Sequence, residues 1–349
     1  MPDQDQQVES GAQAVQAGRD IIYRGMSSEQ MMQIMTAMAD QLVIYQSVAS
    51  EIAQRRCDEL RNELLEKFAT GRNANPEAFK DPDFQYMVTE AHKAYARSGD
   101  GAVRDTLVDV IARRSLETER NRMAITLDEA AIRVPLFGRN EFAALSLAYL
   151  VRHTRNVSVN NFNSFCEYIN TNFMSFVSDI TDVDASYWHI EAQSCGVITL
   201  LGKVDLINPF KQHYSGVLGK GFDRQQLENH LPDGKKNALD GFLLPCLHDN
   251  TKLQPNAISK EVFHTHAAAS GLSEAELDNV WSLFEGTIPN EDVLIELIKP
   301  QTDNIQELFD VWKNTPICRL QLNSVGIAIG HANAKRVVKI DAPLEIWIK

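Results

Sequence analysis

The chain has 349 residues, a length that at roughly 150 residues per domain suggests about two domains with a tail and leaves ample room for a core. Apolar residues make up 44% and charged residues 23%, which excludes a wholly disordered, collagen-like or fibrous chain. Lys and Arg number 34 against 47 Asp and Glu, a net charge of −13 that opposes tight binding to nucleic acid or an anionic membrane over most of the surface.

The first residues, Met1-Pro2-Asp3-Gln4-Asp5, are acidic with no apolar run behind them, so a secretory signal is not expected and the cytosol is the expected compartment. Within the leader at 1–27, Ile21, Ile22 and Tyr23 are β-formers following a Gly-Arg-Asp turn signal. A strand this short needs a partner, either the body of the chain or a neighbouring copy.

A helical domain is expected over 28–156. Ser27 or Ser28 suits an N-cap, and Met31, Met35, Met38, Leu42, Tyr45, Ala49 and Ile52 follow with steps of four and three, a heptad seam. Ile34, Ala37, Gln41, Ile44 and Val48 widen the apolar face beyond what a two-stranded coil uses. Met is adaptable at surfaces that re-pack against partners, which adds Met31, Met35 and Met38 to Ile21, Tyr23, Leu42 and Tyr45 as candidate interface residues. Further helices are expected at 83–97, 103–123, 125–134 and 140–153, with the charged run at 113–120 read as a solvated helix face. The ten apolar residues at 142–151 are about half of a membrane span and read as a buried helix.

The section 157–256 starts with a helix carrying Phe162, Phe165, Tyr168, Ile169, Phe173 and Phe176. From 196 on, glycines and prolines break the pattern, so long loops and short elements are expected there. His213, Lys220, His230 and His248 lie in this stretch and form a candidate ligand loop if folding brings them together. The run Gly216-x-x-Gly219-Lys220-Gly221 lacks the Ser or Thr that a phosphate loop places after its Lys. His264 and His266 are two apart on a helix and point to different faces, whereas helical metal pairs sit three or four apart. No cofactor or metal site is expected. The five cysteines are dispersed and read as reduced, mostly buried thiols.

The section 257–349 returns to helices at 260–270, 273–284, 291–298 and 305–312, the second opened by a Ser273/Glu276 capping box. A strand at 319–322, a short helix at 325–332 capped by Asn323 or Ser324, and strands at 337–340 and 344–348 complete a small α/β end-piece resembling a winged helix. The fold class expected is thus mainly α: a helical bundle, a loop-rich middle and this end-piece. Residues 311–349 carry six cations against two acids, the one stretch suited to a phosphate backbone.

Three motifs, Gln16-Ala17-Gly18-Arg19-Asp20-Ile21, Tyr95-Ala96-Arg97-Ser98-Gly99-Asp100 and Leu322-Asn323-Ser324-Val325-Gly326-Ile327-Ala328-Ile329-Gly330-His331-Ala332-Asn333, together resemble an uncharacterised bacterial family of mainly helical proteins. The first resembles a leader found on assorted bacterial proteins of conflict or phage-defence systems. The last is similar to the closing Leu-Thr-x-x-Gly segment of abortive-infection-type helical proteins, with Asn323 in place of the Thr. The resemblance implies a bacterial interaction or defence protein and no catalytic residue. The expected function is therefore self-association and contact with a protein effector. A hydrolase or nucleotide-using enzyme sited at 196–256 is the alternative, and a DNA-binding regulator acting through the C-terminal section is the second.

Overall fold

The structure, a computed structural model, describes residues 28–70, 73–340 and 342–349; in the first helix the side chains at 28, 30, 31, 34, 36–40, 42 and 43 lie outside the described set. The chain forms two units, Met1–Arg55 and Arg56–Lys349, and is mainly helical. The helices are α1 (Ser28–Ala69), α2 (Pro82–Ser98), α3 (Gly101–Arg114), α4 (Arg122–Arg133), α5 (Arg139–His153), α6 (Phe162–Tyr168), α7 (Met174–Val177) and α8 (Asp184–Ala192). They continue with α9 (Ile207–Leu218), α10 (Arg224–His230), α11 (Lys260–Ala267), α12 (Glu274–Glu285), α13 (Glu291–Ile298), α14 (Ile305–Asn314) and α15 (Ser324–Val338). Two antiparallel strand pairs join them: β1 (Gly196–Ile198) with β4 (Leu320–Leu322), and β2 (Leu243–Pro245) with β3 (Leu253–Pro255).

Local chemistry sets the boundaries. Gly99 ends α2 at φ +64°, and one residue later the Asp100 carboxylate starts α3 by accepting the Ala102 and Val103 N–H groups at 2.7 and 3.1 Å. Arg56 donates to the Ala96 and Arg97 carbonyls at 2.9 and 2.8 Å, tying that corner to the last third of α1. The Ser273/Glu276 capping box forms as expected, with the Ser273 N–H donating to the Glu276 carboxylate at 2.7 Å.

The centre of the larger unit is α15. It begins at Asn323, whose side chain accepts the Gly326 N–H at 3.0 Å, and every residue from Val325 to Ala334 is buried. It packs against α3, α4 and α5, and α5 is itself buried from Phe142 to Val151. Close approach needs the two glycines: a Cβ on Gly326 would lie 1.8 Å from the Cys195 carbonyl oxygen, and one on Gly330 2.6 Å from that of Leu145. The buried polar groups of α15 are paired, Asn333 with Ser146 at 2.7 Å and His331 with the Ala342 carbonyl at 2.8 Å. The main core runs from Leu60 to Ile348, and a smaller one gathers Phe222, Leu227, Phe263, Trp281 and Phe284 around α10–α12.

Several sequence expectations are corrected. The charged run at 113–120 is not a solvated helix face and 103–123 is not one helix: α3 stops at Arg114, which is only 2% exposed. Its guanidinium meets Asp128 at 2.7 Å, Asp81 at 3.5 Å and Asp83 at 3.7 Å, carboxylates whose convergence no local spacing announces. The expected helix through 162–176 is interrupted by a π-turn over Ile169–Phe173. The stretch after 196 holds two ordered helices, α9 and α10, among its loops. The strands expected at 337–340 and 344–348 do not form. α15 continues to Val338, Lys339 stops it at φ +57°, and Leu344–Ile346 is a 3-10 turn. Among the described residues no strand follows β4, which pairs with the distant β1 rather than with a wing, so the end-piece is not winged-helix-like.

Candidate functional site

The interface residues expected near the start fall unevenly within the described set. Ile21 and Tyr23 lie outside the described residues, as do the side chains of Met31, Met38 and Leu42, although these three stand on α1. Met35 is 65% exposed and Tyr45 59%, and the adjoining Ile44 and Val48 are 60% and 49% exposed. Ordinary surface leucines and isoleucines occur singly; here four large apolar groups are exposed on one helix, Met35 and Tyr45 at seam positions and Ile44 and Val48 on the stripe beside it.

The candidate ligand loop does not form a single cluster. His230 closes α10 and pairs with its own Gln226 carbonyl at 2.8 Å. His248 Nε2 lies 2.7 Å from the Val217 carbonyl and its ring meets Phe162 edge-on. The Lys220 backbone N–H donates to Thr287 Oγ1 at 3.0 Å, and the glycine run around it spans the end of α9, the N-terminus of α10 beyond it being capped by the Asp223 carboxylate, which occupies the place a phosphate would take. Among the described residues no three His, Cys, Asp or Glu side chains are grouped to hold a metal. Asp83 and Glu90 are engaged by Arg114 at 3.7 Å and Lys93 at 2.9 Å. Of the C-terminal cations, Lys335 is held by Asp109 at 2.8 Å and Arg336 by the Asn333 side chain at 2.8 Å.

Of the four, His213 lines a polar cleft, and apart from Gln212 its companions come from outside 196–256. Arg155 stands on the segment after α5, Gln212 and His213 on α9, and Glu261, Thr265 and His266 on α11, around a volume of about 420 Å³. α11 supplies this wall because residues 261, 262, 265 and 266 share a face at helical spacing. His264 points the other way, to Asp278 on α12 at 3.0 Å, as the spacing of the two histidines requires. Burial, and then the Arg155 charge, hold the His213 imidazole below its ordinary range, with Glu261 pulling the other way. The Ser259 hydroxyl, the residue's own N–H and then Arg155 and His213 hold the Glu261 carboxyl below its ordinary range. The cleft therefore brings together the Arg155 guanidinium, the Glu261 carboxylate and two imidazoles, of which His213 is held toward its neutral form.

A second cleft of about 290 Å³ adjoins it, with Val262 and His266 in both linings. Its remaining wall is largely apolar, including Val157, Val217, Leu244, Leu247 and Ile258. Two hydrogen bonds fix this wall: the Gly216 N–H to the Ile258 carbonyl at 3.0 Å, and Gln254 Nε2 to the Gly216 carbonyl at 2.8 Å. A third cleft, about 670 Å³, lies beyond Arg155 against Tyr168, Asn172, Lys339 and Trp347. Trp347 is clamped there by its indole N–H on the His153 carbonyl at 2.6 Å. Sequence reasoning missed Arg155 and Glu261 and weighed His266 only as a metal partner of His264; the local signal for this wall was the i, i+4 pairing of Glu261 with Thr265 and of Val262 with His266.

Two of the three family-like motifs are accounted for by architecture. Tyr95 to Asp100 is the corner between α2 and α3, with the Tyr95 hydroxyl donating to Glu59 at 3.0 Å, and Leu322 to Asn333 is the buried half of α15 with its cap. The leader motif at 16–21 lies outside the described residues. No curated protein and no solved structure matches the chain. A family model does match, over residues 25–348, so that both structural motifs lie within the match while the leader precedes it; the chain belongs to this uncharacterised family.

Proposed function

We propose that the protein acts as a self-associating interaction protein, in which copies of the chain meet along the heptad seam of α1 and the assembled molecule engages a protein effector. The observation that carries this reading is the exposure of the seam: Met35 and Tyr45 face solvent, with Ile44 and Val48 beside them. A second copy is the suited occupant because a heptad pattern is complementary to itself. The flanking positions Met32, Ile34, Ala39, Gln41, Gln46, Val48 and Ala53 carry no charge, so copies of a chain with net charge −13 approach there without setting like charges together. The width of the apolar face suits an assembly of more than two helices.

The test is the mass of the full-length protein by light scattering at micromolar concentration, beside the Met35→Glu/Tyr45→Glu double variant. The expected result is a multiple of the protomer mass for the parent and the protomer mass for the variant, with equal helical circular dichroism. A protomeric parent removes the reading. For the biological setting we read bacterial conflict or phage defence, supported by the leader resemblance at 16–21; genes for a nuclease, a nucleotide sensor or a pore-former beside this one are the expected neighbourhood.

A further inference from the structure

The polar and apolar clefts share two lining residues, Val262 and His266, and their neighbouring chemistries together narrow what fits. Each part alone is small, about 420 and 290 Å³, near the lower end of the ~300–1,000 Å³ typical of small-molecule pockets. In the polar part, Arg155 forms no ion pair among the described residues, and Glu261 feels its field. A lone anion drawn to Arg155 is repelled by Glu261, and a lone cation drawn to Glu261 is repelled by Arg155. A small zwitterion satisfies both. His213 and Gln212 add hydrogen-bonding groups without adding charge. His266 turns Nδ1 toward the Asn256 carbonyl at 3.3 Å. The apolar part then receives an aliphatic group joined to the zwitterion by a few bonds, since the two parts share their Val262 and His266 wall.

We propose that this paired cleft binds a free α-amino acid with a branched aliphatic side chain, its carboxylate on Arg155, its ammonium on Glu261 and its side chain among Val217, Leu244 and Ile258. The site is independent of the α1 seam, and neither reading requires the other.

Calorimetric titration of the full chain tests it with four probes: L-leucine, glycine, 4-methylpentanoate and 3-methylbutylamine. Leucine is expected to bind. Glycine, which lacks the side chain, and the two probes that each lack one pole are expected to bind at least about tenfold more weakly. Arg155→Gln and Glu261→Gln are each expected to weaken leucine by about tenfold or more while melting at the parent temperature. The four-probe series on the parent protein needs no variant to fold. Absence of leucine binding overturns the proposal, as does 4-methylpentanoate or 3-methylbutylamine binding as tightly as leucine. Leucine binding that both folded variants retain in full overturns it equally.

Discussion

A methyl group on Gly330 would meet backbone, not a side chain that can swing aside: the Leu145 carbonyl oxygen at 2.6 Å, its carbon at 3.0 Å, and Tyr149 Cβ at 3.1 Å. α5 or α15 would have to move, and both are buried along most of their length. Gly330→Ala is therefore expected to lower unfolding free energy by about 1–3 kcal/mol, read from denaturant melts. An unchanged midpoint would mean that the two helices slide apart freely. Arg114 tests a different balance. Its charge is nearly sealed from water among three carboxylates, and burial raises Asp128 above the ordinary carboxyl range even as Arg114 pulls it down. Arg114→Ala is expected to cost about 3–5 kcal/mol, because the acids lose their counter-ion and the site loses its filling. Arg114→Met restores volume without charge, and a melt matching the parent would show that packing alone is what the arginine supplies.

At the level of elements, legibility followed the range of the interactions involved. α2, α5 and α12 were readable because their apolar spacing and end signals act within four residues, as in Gly99 closing α2, the Glu141 carboxylate accepting the Gly138 N–H at the start of α5, and the Ser273/Glu276 box of α12. The end of α3 was not, since it depends on Asp81, Asp83 and Asp128 reaching one guanidinium from other elements. The run Val337-Val338-Lys339-Ile340 suggested a strand, yet Val337 and Val338 extend a helix buried from Val325 to Ala334 before Lys339 ends it, and the packing of that helix outweighed local propensity. The polar cleft was only partly legible: His213 was visible as a candidate, while Arg155 and Glu261 reach it through packing of α9, α11 and the segment after α5. The stop of α15 yields a prediction of its own. Lys339 occupies the left-handed region at φ +57°, where a Cβ is strained and glycine is not. Lys339→Gly is expected to stabilise the protein by about 1 kcal/mol, and a lower melting temperature would contradict the assignment of Lys339 as a strained helix stop.

For the molecule as a whole, three histidines make folding sensitive to acid in one direction. His331 is 1% exposed, with Nε2 on the Ala342 carbonyl and its ring between those of Tyr149 and Trp347. Burial holds it below its ordinary value of 6.5, outweighing the contrary pull of that carbonyl and of Asp109. His153 and His213 are shifted the same way, chiefly by burial and then by Arg152 and Arg155 respectively. A lowered folded value means that, as pH falls through 6.5, the unfolded chain takes up protons that the folded chain refuses, so stability falls with pH; above 6.5 both states are neutral and the dependence vanishes. His331 alone contributes a slope of up to about 1.4 kcal/mol per pH unit below that point. Melting temperatures are therefore expected to be level between about pH 8 and 7 and to drop toward about pH 5, before carboxylates begin to titrate. His331→Gln should melt lower than the parent at about pH 8, because its buried hydrogen bond is disturbed, yet lose less on acidification. A variant that falls as steeply as the parent over the same interval would assign the acid sensitivity to other groups and leave His331 a neutral structural side chain in both states.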